Sequence, residues 1–208
     1  MLDSTAIADA LCTSGWWMAR NVLEPGLCAV LQAELLHWQA TGALKTAGIG
    51  RGDAHRQHMA TRSDRIAWLD GSSAAQQQYL ALMDALRVGL NRELMLGLFE
   101  FEAQFTHYPP GAFYRQHRDS FAGAASRVVN IVTYLNEHWP AEAGGELVVY
   151  AGEGGEEVQR VLPAAGTVVV FLSERIPHEV LPATRDRYSI AGWFRVNATT
   201  GARLDLME

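Results

Sequence analysis

His117-Arg118-Asp119, a second histidine at 178 and an arginine at 187 are the residues of this chain best suited to chemistry. Two imidazoles and one carboxylate can hold one face of a metal ion and leave the other positions open, a donor set that suits non-haem Fe(II) oxygenases. Arg187, nine residues beyond His178, carries a planar fork that could grip the far carboxylate of a 2-oxoacid. Taken alone, a His-x-Asp pair is weak. A chain with seven histidines forms such pairs by chance, and a surface His–Asp contact would look the same. A lone Arg187 would likewise read as half of a surface salt bridge. It opens a run, however, that is otherwise apolar on alternate positions to Phe194, and a charge there needs a partner.

For His117 and Asp119 to meet one ion they must point to the same side, as residues i and i+2 do on a strand. His178 must then come from a distant strand end. The chain after Leu98 has the grammar to supply this. In 101–107, Phe101, Ala103, Phe105 and His107 alternate with Glu102, Gln104 and Thr106. Further strands are expected at 128–135, 146–150, 158–162, 167–172 and 188–196. Turn residues separate them: Pro109-Pro110-Gly111, Gly144-Gly145, Gly152 to Gly155, and Ala164-Ala165-Gly166. Before Leu98 the pattern is mainly helical. Helices are expected at 3–14, 25–40 and 74–98, with short strands at 16–18 and 65–69. Tyr79, Leu82, Met83, Leu86, Leu90, Leu94 and Leu98 form one apolar stripe. Helices first and strands later predict a mainly β, α+β fold: a cupin-like jelly roll (double-stranded β-helix) with N-terminal helices packed on one sheet. The chain reads as one domain over 1–208, with helical and strand support in 1–100, the jelly-roll core in 101–196 and a short tail in 197–208.

The segment 48–64 differs from the rest. It holds Gly48, Gly50 and Gly52, several charged residues and few apolar anchors, and is expected to be an exposed, mobile loop. His55 and His58 lie in it at i, i+3, but with no third ligand nearby they read as surface histidines.

Composition limits the function classes. The net charge of −6 argues against a general nucleic-acid binder. No apolar run is long enough to cross a bilayer, and the first residues lack the marks of a secretory signal. Cys12 and Cys28 show no metal or redox spacing. A cytoplasmic location is the default expectation.

Several blocks, in order, carry a resemblance. They are Arg62-Ser63-Asp64-Arg65-Ile66-Ala67-Trp68, Tyr108-Pro109-Pro110-Gly111, Tyr114-Arg115-Gln116-His117-Arg118-Asp119, Tyr134-Leu135-Asn136-Glu137-His138-Trp139, Gly144-Gly145-Glu146-Leu147, Pro177-His178-Glu179-Val180 and Arg187-Tyr188-Ser189-Ile190. From about Arg62 to Phe194 the chain resembles the Fe(II)/2-oxoglutarate-dependent prolyl hydroxylase domain family, in particular the hypoxia-inducible-factor prolyl hydroxylases and their bacterial relatives.

The resemblance implies that His117, Asp119 and His178 bind Fe(II), and that Arg187 and Tyr134 hold the distal carboxylate of 2-oxoglutarate. Tyr108 would lie beside the iron-chelating end of that co-substrate. Arg127 matches a position that contacts a protein substrate, and Tyr114 and Trp193 match walls of a prolyl pocket, though plain barrel core would also account for Tyr114, Tyr134 and Trp193. The loop 49–64, which takes in Arg62 and Asp64, matches a finger loop that folds over bound substrate. Two departures stand out. Ala191 occupies a position where animal members carry threonine, and Ser189, on the same alternate face as Arg187, is the candidate to supply that hydroxyl. Arg187 in place of lysine resembles the oxygen-sensing branch.

The implied reaction is hydroxylation of a substrate C–H bond, at C4 of a prolyl residue, coupled to oxidative decarboxylation of 2-oxoglutarate, with O2 consumed and ascorbate supporting activity. The implied partner is a protein with an exposed prolyl loop, and elongation factor Tu is the leading candidate because bacterial relatives modify it. Two readings stand beside this one. In the first, the same cofactor chemistry acts on a small molecule or free amino acid. In the second, the protein is a cupin-like metal-binding module without turnover, for which a carboxylate clamp such as Arg187 with Tyr134 would have no use.

Overall fold

The Asp3 carboxylate accepts the backbone N–H groups of Thr5 and Ala6 and so starts the first helix, α1, Ser4–Thr13. The computed structural model describes residues 2–48, 61–120, 126–152 and 155–197. β1 (Trp16–Ala19) leads to α2 (Pro25–Ala40), whose first turn is preset by the Pro25 ring. β2 (Lys45–Thr46) and β3 (Arg65–Trp68) precede α3 (Ala74–Leu94), where Ser73 Oγ accepts from the Gln76 N–H. The remaining strands are β4 (Glu100–Tyr108), β5 (Tyr114–His117), β6 (Arg127–Tyr134), β7 (Leu147–Tyr150), β8 (Glu157–Val161), β9 (Val168–Leu172), β10 (His178–Val180) and β11 (Arg187–Arg195).

Among the described residues these strands form a seven-stranded sheet, ordered β1-β9-β6-β11-β4-β3-β2, and a four-stranded sheet, ordered β5-β10-β7-β8. This is the expected double-sheet jelly roll. Strand alternation divides the core in two. Phe105, Ile131, Val168, Val170, Ile190 and Phe194 face the helices and pack with Leu31, Leu35, Tyr79, Met83 and Leu90. Val132, Tyr134, Val169 and Phe171 face the other way, toward Leu147, Val149 and Val161 of the small sheet. Each such buried apolar side chain contributes about 1.5–3 kcal/mol. At Gly192 the sheet needs the missing side chain, because a Cβ there would fall 2.4 Å from Phe101 Cζ. No helix among the described residues is long and apolar enough to cross a membrane.

Three local expectations are corrected. α3 stops at Leu94 rather than 98, because Met95 takes a left-handed conformation at φ 49°. Leu98 still reaches the core, held by Asn91, whose side-chain amide bonds both its N–H and its carbonyl. Leu82 lies off the apolar stripe and is 39 % exposed. Asp119 is not on a strand: β5 ends at His117, and the carboxylate sits in the bend beyond it. The loop expectation covers two different stretches. Residues 49–60, with His55 and His58, lie outside the described residues, whereas 61–64 are tied to β5. Arg62 bridges Tyr114, and the Ser63 N–H donates to the Phe113 carbonyl.

Candidate active site

β5 and β10 are short antiparallel neighbours, and their register sets His117 directly opposite His178. One ring nitrogen of each histidine is occupied by its own chain. His117 Nδ1 lies 2.7 Å from the Arg115 carbonyl, and His178 Nδ1 lies 3.2 Å from that of Ile176. A carbonyl only accepts, so each Nδ1 carries the proton and each Nε2 presents a lone pair. Both Nε2 atoms turn to Asp119 Oδ1, at 3.3 and 3.9 Å. The Trp193 indole N–H donates to the other oxygen, Oδ2, at 2.8 Å.

Burial opposes charge on Asp119, but in acid, where the imidazoles are protonated, a bond from His117, the charge of both rings and the indole N–H outweigh it and hold the carboxyl well below the usual range. Burial, together with His117, lowers His178 to about 4, so its imidazole is neutral at pH 7. Three electron-pair donors within 4.8 Å of one another can hold a metal ion. The set of two histidines and one carboxylate on one side suits Fe(II) with open positions.

The other end of the pocket belongs to Arg187, which is 1 % exposed. Its Nε donates to the Gly145 carbonyl at 2.9 Å, and Nη1 lies 3.4 Å from Ser189 Oγ. The Gly144-Gly145 turn makes this possible. Gly145 sits at φ +74°, and a Cβ there would meet Ala183, Trp139 and the Arg187 stem. The guanidinium lies 5.0 Å from the ring centroids of both Tyr108 and Tyr134. Among the described residues no carboxylate pairs with it. Tyr134 Oη is buried with no hydrogen-bond partner among the described residues. Burial raises the phenols of Tyr108 and Tyr134, so both stay protonated donors. A buried cation beside an unused hydroxyl is costly without an anion, and the far carboxylate of a 2-oxoacid fits that need.

Strand alternation brings the two ends together. Arg187, Ser189, Ala191 and Trp193 form one face of β11, opposite Gln104, Thr106 and Tyr108 of β4. They line one open pocket that also contains Asn130, the two histidines and Asp119. Ser189 does point inward, where its hydroxyl bonds Thr106 Oγ1 at 2.6 Å. Tyr114 stacks on His117 with centroids 3.5 Å apart, and Arg62 lies over its ring at 4.8 Å. Arg127 is not in the pocket lining. Its guanidinium lies over the Trp193 ring at 3.9 Å, and its Nε is bound to Glu102.

Arg62 and Asp64 form a two-point pair at 2.6 and 2.9 Å, with Asp64 fully buried. Removing one partner of such a pair leaves an uncompensated buried charge. Asp64→Asn is expected to cost roughly 3–5 kcal/mol in urea unfolding. A loss below about 1 kcal/mol would mean that the pair is solvated like a surface bridge.

Sequence reasoning missed the polar row of Gln104, Thr106 and Asn130, and the charged residues Glu100, Glu102 and Arg195. A signal existed for the row on β4. Its apolar positions face the helices, so the alternate polar positions must face the pocket rather than water.

Comparison with known proteins gives this geometry a lineage. Residues 103–195 match the 2OG-Fe(II) oxygenase superfamily. A Pseudomonas putida prolyl-4-hydroxylase is 43% identical, with a TM-score of 0.84 over 94% of this chain and 100% of that one. A Trichoplax adhaerens prolyl hydroxylase, solved with a hypoxia inducible factor peptide fragment, is 26% identical, with a TM-score of 0.81 over 92% of this chain and 88% of that one. Prolyl hydroxylase EGLN3 of Homo sapiens is 28% identical over 81% of this chain and 72% of its own length. The chain belongs to the 2-oxoglutarate–Fe(II) oxygenase superfamily, as a dioxygenase of its prolyl hydroxylase family.

Proposed function

We propose that the chain is one catalytic domain that hydroxylates a prolyl residue of a protein at C4, with elongation factor Tu as the candidate substrate. The observation that carries the reading is Arg187, a buried cation without a carboxylate partner among the described residues, in the same pocket as His117, Asp119 and His178. In this reading the two Nε2 atoms and Asp119 Oδ1 hold Fe(II). Arg187 and Tyr134 receive the distal carboxylate of 2-oxoglutarate, and the hydroxyls of Ser189 and Thr106 back the arginine. When bound, Fe(II) and 2-oxoglutarate supply oxygen activation, so that O2 leaves one atom in succinate and one in the new hydroxyl while CO2 departs.

The chain's own residues do the rest. Neutral His178 needs no deprotonation before it ligates. Trp193 holds Asp119 to one ligating oxygen. Tyr108 and Tyr134, kept protonated by burial, would donate hydrogen bonds to the bound co-substrate. Tyr114 and Trp193 wall the place where a prolyl ring would sit, with Arg127 behind the indole. Arg62 and Asp64 brace Tyr114 from the other side. Placement of the C–H bond and exclusion of water are the protein's contributions to rate.

A protein substrate is favoured by the resemblance of the chain to prolyl hydroxylases, one of them solved with a peptide. The test is succinate release with Fe(II), 2-oxoglutarate and ascorbate, first alone and then with elongation factor Tu, with proline-containing peptides or with free amino acids. Stimulation by the protein is expected. Stimulation by a free amino acid alone would move the reading to a small-molecule oxygenase. No succinate from metal-loaded protein under any condition would favour a binding module.

Tyr134→Phe is expected to weaken 2-oxoglutarate about 10-fold, the usual scale for one hydrogen bond to a charged group. Calorimetry on the Mn(II)-loaded protein reads this directly, and unchanged affinity would remove Tyr134 from the clamp.

A further inference from the structure

Behind Trp193 lies a buried cluster of charge that the reaction does not itself require. Arg195 is fully buried. Its Nη1 lies 2.5 Å from Glu100 Oε1 and 3.5 Å from Glu102 Oε2, and its Nε and Nη2 donate to Ser126 Oγ. Glu102 gives its other oxygen, Oε1, to Arg127 Nε at 2.6 Å. Strand register explains the need for the acid. Arg195 stands opposite Arg127 on β6, and Glu102 stands opposite Trp193 on β4. Like charges directly across a sheet destabilise it unless a counter-charge lies between them, and Glu102 lies between these two.

We propose that Glu102 is a positioning residue for the metal centre: held by Arg127 and Arg195, it keeps Arg127 over the Trp193 ring and so aims the indole N–H at Asp119 Oδ2. The inference rests on the metal reading given above. Each link is short. Glu102 to Arg127 is 2.6 Å, Arg127 to the Trp193 ring is 3.9 Å, and Trp193 to Asp119 is 2.8 Å. With Oδ2 taken by the indole, Oδ1 alone faces the histidine nitrogens, so Asp119 would hold a metal ion through one oxygen. Without Glu102, Arg127, already 18 % exposed, is repelled by Arg195 and released toward water. The indole then loses the cation that fixes its plane. Partners of this kind, one step removed from the metal, typically set its affinity by 10–100-fold.

The experiment is a Co(II) titration of the full chain, read by the visible spectrum of the bound ion, in the wild type, Glu102→Gln, Trp193→Phe and the double variant. Each single change is expected to weaken Co(II) about 10-fold and to shift the visible bands. The double variant is expected to bind no more weakly than Trp193→Phe alone, because Glu102 acts through the indole. The inference is overturned if Glu102→Gln binds Co(II) within about twofold of wild type, or if its loss is the same with and without Trp193. Wild-type protein that binds no Co(II) would instead overturn the metal reading beneath it. Should Glu102→Gln fail to fold, Arg127→Met takes its place in the cycle. It keeps apolar cover on the indole and breaks the same link, and an additive loss there overturns the inference equally.

Discussion

Arg187→Ala is expected to weaken 2-oxoglutarate binding by about 100-fold or more while leaving metal binding intact. Truncating one partner of a buried, hydrogen-bonded charge pair costs 2–5 kcal/mol or more, and about 1.4 kcal/mol is a factor of ten. The arginine lies at the opposite end of β11's inner face from Trp193 and touches none of the three metal donors. The two functions should therefore separate cleanly. Thermal unfolding gives an independent reading. Without co-substrate the variant should be no less stable than wild type, because it no longer buries a cation that lacks an anion. Adding 2-oxoglutarate should raise the wild-type Tm and leave that of the variant unchanged. Arg187→Lys should fall between, since an ammonium keeps the charge but lacks the fork that reaches the Gly145 carbonyl and a carboxylate at once. Undiminished affinity in Arg187→Ala would end the co-substrate assignment.

His178→Ala is the second large effect. Fe(II) affinity is expected to fall by more than ~100-fold, beyond the 10–100-fold typical of outer partners, and turnover to fall with it. Among the described residues the metal set has three protein donors, and His178 Nε2 is the one that β10 brings to Asp119 from the small sheet. Co-substrate binding should be lost as well, because an oxoacid that chelates the metal loses one of its two anchors. The pattern across variants is therefore directional. Loss of a metal donor removes both ligands, whereas loss of Arg187 removes only one. Equilibrium dialysis with Mn(II), followed by calorimetry with 2-oxoglutarate, reads both. Retained Mn(II) affinity in His178→Ala would mean that the ion, where bound, sits elsewhere.

The residue types at 117, 119, 178 and 187 were legible in the sequence because the motif is local and sits in an ordered series of blocks. The alternation that faces Arg187, Ser189, Ala191 and Trp193 one way was legible too, since period two is a property of any strand. The strand rationale for Asp119 did not hold. β5 ends two residues earlier, and the carboxylate is placed by a long-range bond to Trp193 that no local pattern encodes. α3 read too long because Leu98 continues the apolar period, although Met95 and Gly97 turn the chain before it. Arg195 is a further case. A basic residue near the end of a strand reads as a solvated terminus, and only β4 and β6, from elsewhere in the chain, reveal that it is covered. Asp64 differs: its partner Arg62 is only two residues away on a segment that reads as loop, so the pair is local and only its burial went unread. What the sequence carried was periodicity and motif. What it withheld was pairing between distant strands.

The most direct test of the central claim is the intact mass of elongation factor Tu after incubation with the protein, Fe(II), 2-oxoglutarate, ascorbate and air. A gain of one oxygen atom, mapped to C4 of a single proline, is expected, with no gain for the His178→Ala variant. Succinate formed in step with oxygen placed on a residue other than proline would contradict it.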